Sequence, residues 1–173
     1  NISAVIKGRK VFDPRTSTTA FSSNSALCIR DYLLNTKFGL GAKSTEVNDT
    51  IFSSAANTCD ENVTLDGGGT EKRYECHGVI DTGQTPAKIL DEMTSSCIGL
   101  VYYSGGKWGI KVGEYLTPTV TLGDDDLRES ISVTTRNSRR DNFNAVKGVF
   151  GSPDQSYQPT DFPPVTSSVF ETE

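Results

Sequence analysis

"DTGQTPAKILDEMTSSCIGLVYYSGGKWGIKVG", residues 81–113, carries the clearest structural signals in the chain. Its first half predicts a helix, because Thr85 precedes Pro86, and proline suits the first helical position. Apolar residues then recur at helical spacing and should face inward. This predicted stripe consists of Ile89, Leu90, Met93 and Cys97.

The second half of the stretch, residues 99–113, predicts a hairpin. "LVYY" and "WGIKV" favour strands, and the "SGGK" between them accepts positive φ. A phosphate-binding loop is excluded, because Gly106 and Lys107 are followed by Trp108 where Ser or Thr is required. Strand, helix and hairpin together predict an α+β unit whose helix covers one face of a sheet.

Two further helices are predicted upstream. Ser25 or Asn24 should cap the first, "ALCIRDYLLN", and the glycines of "FGLGAK" should end it. Asn48 or Asp49 should cap the second. The apolar face of the second helix comprises Ile51, Phe52, Ala55, Ala56 and Cys59.

The remaining segments predict strands and loops. We expect strands at "ISAVIKGRKVFD", "RYECHGVI", "TPTVTL", "SISVTTR" and "FNAVKGVF", and no packed element in "SPDQSYQPTDFPPVT". The predicted class is α+β and strand-rich, with β-barrel-like or curved sheets and about three short helices. The predicted organisation is outer strands in 1–23 and 114–152, a helix-bearing middle in 24–113 with the hairpin at 99–113, and a proline-rich linker in 153–173.

Composition restricts the function. The chain has 173 residues, 35% of them hydrophobic, and a net charge of −5, which argues against non-specific binding to nucleic acid or anionic membranes. No apolar run is long enough to span a membrane. Because the chain starts at Asn1 rather than Met, we expect it to be a fragment of a larger protein. The four cysteines have no close pairing and predict reduced structural thiols rather than a zinc site.

No catalytic, metal or cofactor site is predicted. His77 and Asp81 would lie about 13 Å apart on one strand, too far for an acid–base pair. The run Asp124 to Asp126 lacks the pattern of a calcium loop and predicts a solvated turn.

Two surfaces are candidates for contacts. Arg136, Arg139, Arg140 and Lys147 form the main basic concentration, which favours a protein partner over nucleic acid because no aromatic residues interleave it. The hairpin tip is the second surface, comprising Gly105, Gly106, Lys107 and Trp108. Tyr102, Tyr103 and Trp108 leave open a carbohydrate-stacking role, although cross-strand aromatics more often stabilise a hairpin.

Seven segments, spread over residues 2–164, resemble in order the central tail-tip proteins (host-specificity, J-type) of bacteriophages with long non-contractile tails. The chain departs from the family at "FSSNSALC", where relatives commonly carry a tryptophan and a proline. The matching segments are "GRKVFDPR", "ALCIRDYLLNTKFGLG", "CDENV", "YECHGVIDTGQTPAKILDEM", "LVYYSGGKWGIKVG", "RRDNFNAVKGVF" and "YQPTDFPPV".

The resemblance implies a baseplate-hub-like segment of a phage or prophage tail tip. It implies a virion protein, assembled in the bacterial cytoplasm, that is trimeric at full length. Its partners would be sister subunits and neighbouring tail proteins, with DNA only in transit. It implies a structural role in tail assembly and DNA delivery, no cofactor and no enzymatic activity. The alternatives are a carbohydrate-binding module that contacts the host surface and a cell-wall hydrolase domain.

Overall fold

Two compact units make up the chain. One comprises Ile6–Thr117 and is called here the helical unit; the other, the C-terminal unit, is formed by the described residues from Pro118 onward, with Ala4. The computed structural model describes residues 4, 6–65, 67–136, 138, 143–152 and 155–168.

Three α-helices lie in the helical unit, and each begins where a cap was predicted. Helix α1 spans Ser25–Leu34, and the Asn24 side chain accepts the N–H of Leu27. Helix α2 spans Asp49–Cys59 and is capped in the same way by Asn48. Helix α3 spans Pro86–Ser95 and has proline in its first turn. The three predicted helices are therefore confirmed.

The strands of the described residues are short and pair into two-stranded antiparallel sheets. The pairs are β1 with β2, β3 with β4, β5 with β6, β8 with β9, and β7 with β10. The α+β, strand-rich class is confirmed, and none of the described sheets closes into a barrel. In chain order the strands are β1 Lys10–Asp13, β2 Thr18–Phe21, β3 Asn62–Thr64, β4 Thr70–Lys72, β5 Leu100–Ser104, β6 Lys107–Lys111, β7 Ala145–Val146, β8 Val149–Ser152, β9 Gln158–Asp161 and β10 Val165–Thr166.

One hydrophobic core holds the helical unit together. Helix α1 contacts α2 and α3, and α2 also contacts β6, so the three helices and the hairpin share this core. An ion pair reinforces it, because buried Arg30 on α1 donates two hydrogen bonds to Asp49 at the start of α2. The buried apolar members are Val11, Ala26, Leu27, Ile29, Tyr32, Leu33, Val47, Phe52, Ala55, Ala56, Cys59, Ile89, Met93, Cys97 and Ile110.

Several strand predictions were wrong. "RYECHGVI" forms no strand beyond one isolated bridge at Glu75, while the preceding residues Thr70–Lys72 form β4. "TPTVTL" and "SISVTTR" contain no strand among their described residues. Conversely, the proline-rich segment carries β9 and β10, because each strand finds a partner in the "FNAVKGVF" region.

Candidate interaction surfaces

The β5–β6 hairpin presents its tip to solvent. Gly105 and Gly106 form the two-residue loop, and both have positive φ, at 60° and 78°, which glycine adopts without steric cost. Lys107 follows and is exposed. The predicted hairpin is thus confirmed, and three of its four proposed contact residues lie at the surface.

Trp108, the fourth proposed residue, is half-buried against the core. Its ring meets that of its cross-strand partner Tyr103 edge to face, with centroids 5.1 Å apart. Its carbonyl oxygen accepts the N–H of Asn48 at 3.0 Å, which joins the hairpin to the cap of α2. Trp108 therefore holds the hairpin in place as well as bordering its tip.

The aromatic residues of the hairpin do not form one stacking platform. Tyr103 and Trp108 are directly opposite each other, whereas Tyr102 pairs with Gly109 and so points to the other face of the ribbon. The Tyr102 ring covers Gly109, since an added Cβ there would lie 2.6 Å from that ring. Because the three aromatic rings lie on two different faces of the hairpin, they cannot together stack against one sugar.

The basic surface is only partly described. Arg136 and Lys147 are exposed in the C-terminal unit. Arg139 and Arg140 lie outside the described residues, so their role as contact residues stays a prediction.

His77 lies beside Glu75, whose other carboxylate oxygen accepts the Ser23 hydroxyl. Its Nε2 lies 3.6 Å from an Oε2 of Glu75, and both side chains are about one-third exposed. The Asp81 carboxylate instead accepts the backbone N–H of Gly83 at 2.9 Å, closing a local turn. The arrangement is that of a surface pair beside a turn.

The acidic run Asp124 to Asp126 forms a single 3-10 turn. The carboxylate of Asp126 accepts the N–H of Gly123 at 2.9 Å, so this side chain caps the turn. Among the described residues, no group of three or more His, Cys, Asp or Glu side chains is arranged to hold a metal ion. Nor does any described helix have the length and apolar character needed to cross a membrane.

Two depressions open on the helical unit. One, of about 270 Å³, is lined mainly by polar residues, including Ser23, Asp60 and Glu75. The other, of about 440 Å³, is lined by Tyr102 and Leu116 among others. His77 is not among the described lining residues of either depression.

Arg15 forms a network that sequence patterns did not indicate. Its guanidinium contacts both Asp13 oxygens, the Asp60 carboxylate at 2.8 Å and the Asn57 amide oxygen at 3.0 Å. These contacts fasten the turn between β1 and β2 to the end of α2. Hydrogen bonds from Arg15 hold the pKa of Asp13 below its usual value, despite the opposing effect of burial. Because Asp13 and Asp60 are far apart in sequence, only the folded structure shows that one arginine serves both.

The Arg15→Ala variant should lose about 2 kcal/mol of unfolding free energy near neutral pH, because partly buried, charge-assisted hydrogen bonds are lost.

The contribution of Asp13 to stability should depend on pH. Since the folded pKa of Asp13 is depressed, this contribution is present above the unfolded pKa and is lost as the pH falls through the folded pKa. The difference between wild type and Asp13→Asn should therefore shrink below about pH 4. Urea titrations at several pH values measure both effects.

Arg9→Ala is the matched control for this network. Arg9 pairs with Asp31, but its side chain is 53% exposed, so its loss should cost under about 1 kcal/mol. An equal loss in the Arg9 and Arg15 variants would contradict the assigned role of the Arg15 network.

Large apolar side chains remain exposed on both sides of the Asp124–Asp126 turn, within residues 115–133. Val120, Leu122, Ile131 and Val133 are between 65% and 74% exposed. They alternate with polar residues, as in strands that bury one face, yet the described residues provide no partner strand for them. Exposed apolar side chains that lack a described partner strand are typical of a protein–protein interface.

The chain is similar to a phage tail-tip protein. It is 23% identical over 160 residues to the "Tip attachment protein J" of Escherichia phage SECphi27, and the alignment covers 91% of the chain. The chain spans only 13% of the length of that relative. No protein-family model matches the chain.

Proposed function

We propose that the chain is a structural segment of a phage or prophage tail tip. The observation that carries the proposal is the exposed, alternating apolar pattern at residues 120–122 and 131–133, which lacks a described partner strand. The similarity to a tip attachment protein supports the same role over nearly the whole chain. The segment serves to present extended surfaces to other subunits rather than to catalyse a reaction.

The partners in this proposal are sister subunits of the full-length protein and neighbouring tail proteins. Three subunits form a baseplate-hub-like ring in the virion, after assembly in the bacterial cytoplasm. The segment 115–133 adds strands to sheets of an adjacent subunit, because backbone hydrogen bonds and one apolar face then become satisfied together. The net charge of −5 fits a channel that DNA traverses without adhering, since acidic walls repel phosphate.

The Leu122→Glu/Ile131→Glu variant of the full-length protein should lose its oligomeric state in sedimentation velocity. In the isolated chain the same changes should alter the unfolding free energy by no more than about 0.5 kcal/mol, because both side chains are exposed. Val79→Glu is the matched control, since Val79 is 97% exposed but lies outside the segment. Its oligomeric state should equal that of wild type.

Retention of the wild-type oligomer by the double variant would refute the interface role. Release of soluble fragments from peptidoglycan in a zymogram would instead favour the hydrolase alternative and would contradict the structural proposal.

A further inference from the structure

The cysteines, although widely spaced in sequence, converge in the helical unit. Cys28 lies on α1, Cys59 ends α2, Cys76 follows β4 and Cys97 follows α3. Cys59 and Cys97 are fully buried, whereas Cys28 and Cys76 are half-buried at the edge of the core. All four are free thiols, as predicted. Cys28 and Cys76 are therefore the more exposed pair of cysteines.

Backbone pairing brings Cys28 and Cys76 side by side. Asn24 and Glu75 form an antiparallel bridge, and the N–H of Cys76 donates to the Ser23 carbonyl oxygen at 2.7 Å. The Sγ of Cys28, one turn into α1, lies 3.5 Å from the Ser22 carbonyl oxygen. These main-chain contacts hold both cysteines against the same short segment, residues 22–24.

The surroundings make the two thiols unequal. Interaction with the neighbouring Cys28 thiol lowers the pKa of Cys76, against the opposing effect of burial, and the Ser96 hydroxyl acts in the same direction as Cys28. The same hydrogen bond, together with burial, raises the pKa of Cys28. Cys76 is therefore the more acidic thiol of the pair, and the more readily ionised thiol is the attacking one in disulfide exchange. Burial raises the pKa of Cys59, and raises that of Cys97 to about 12, so neither competes as a nucleophile.

We propose that Cys28 and Cys76 form a reversible disulfide by exchange with a small-molecule disulfide of the glutathione class. The Cys76 thiolate attacks one sulfur of the reagent, its S–S bond breaks, and one small thiolate leaves. Cys28 then loses its proton to a departing thiolate and attacks the Cys76 sulfur, which releases the second small thiol. Two cysteine thiols are oxidised, and one small disulfide is reduced to two thiols.

The disulfide links α1 to the segment that follows β4. By removing conformational freedom from the unfolded chain over the long loop between these residues, it should raise the Tm of the helical unit by roughly 10 °C. Under the proposed function, the pair would be reduced during cytoplasmic assembly and oxidised once the virion leaves the cell. The disulfide itself does not depend on that function.

Incubation of the purified chain with oxidised glutathione, followed by alkylation in denaturant, tests the proposal. Two of the four thiols should become resistant to alkylation, and peptide mass mapping should find Cys28 linked to Cys76. The Cys28→Ser variant should stop at a single glutathione adduct on Cys76. Cys97→Ala is the matched control and should still form the linked pair.

Four alkylatable thiols after prolonged oxidation, or a linked pair that includes Cys59 or Cys97, would overturn the proposal. If a serine variant fails to fold, the peptide map of the wild-type chain still decides between these outcomes.

Discussion

The Phe52→Ala variant is expected to lose about 3–5 kcal/mol of unfolding free energy. Phe52 lies on α2 and is 0% exposed, in the layer where α2 contacts α1 and β6. Removal of the ring leaves a cavity that three packed elements cannot fill without moving. For a unit of this size the loss corresponds to a fall in Tm of roughly 15 °C or more.

Urea titration followed by far-UV circular dichroism measures this loss. Ser54→Ala, on the exposed face of the same helix, is the matched control and should change the unfolding free energy by less than about 0.5 kcal/mol. A Phe52→Ala cost below about 1 kcal/mol would mean that α2 does not pack into the core as described.

Helix positions were predictable from sequence because their signals are local. Asn24 and Asn48 accept backbone N–H groups three residues ahead, and Pro86 fixes the backbone at the start of α3. The β5–β6 hairpin was also predictable, because its two glycines specify the loop and the flanking residues specify the strands. Each of these features is determined by residues that lie close together in the sequence.

Strands without a nearby partner were not predictable. Val120 and Leu122 alternate with threonine as a strand would, but a strand also requires hydrogen bonds from a neighbour, which a period-two pattern does not provide. The opposite error occurred at Gln158–Asp161, where proline argued against a packed element although β8 pairs with it.

The side-chain sites depend on contacts between distant parts of the chain. The spacing of Cys28 and Cys76 carried no signal, since the bridge between Asn24 and Glu75 brings them together. Similarly, nothing local to Arg15 shows that it reaches the end of α2. Hairpin-tip exposure, by contrast, followed directly from the turn sequence.

The Gly39→Ala variant is expected to destabilise the helical unit by roughly 3 kcal/mol, at the upper end of the usual cost of overpacking. A Cβ at residue 39 would lie 1.9 Å from the Tyr32 carbonyl oxygen and 2.9 Å from that of Asn35. Both obstacles are backbone atoms at the end of α1, so no side chain can rotate away to make room.

The position of Gly39 explains why the clash is costly. The chain folds back over the last turn of α1, where Leu40 donates its N–H to the Tyr32 oxygen at 3.1 Å and Ala42 donates to Leu33 at 2.8 Å. These bonds satisfy carbonyl groups that a helix end otherwise leaves without partners. A methyl group on Gly39 would push the chain outward and break them, while exposing core residues beneath α1.

Thermal unfolding of Gly39→Ala beside Gly78→Ala measures the effect. Gly78 has no atom within 4 Å of an added Cβ, so its substitution should leave the Tm within about 2 °C of wild type. If Gly39→Ala were equally harmless, the close return of the chain over α1 would have to be wrong, since a Cβ atom cannot lie 1.9 Å from a backbone oxygen.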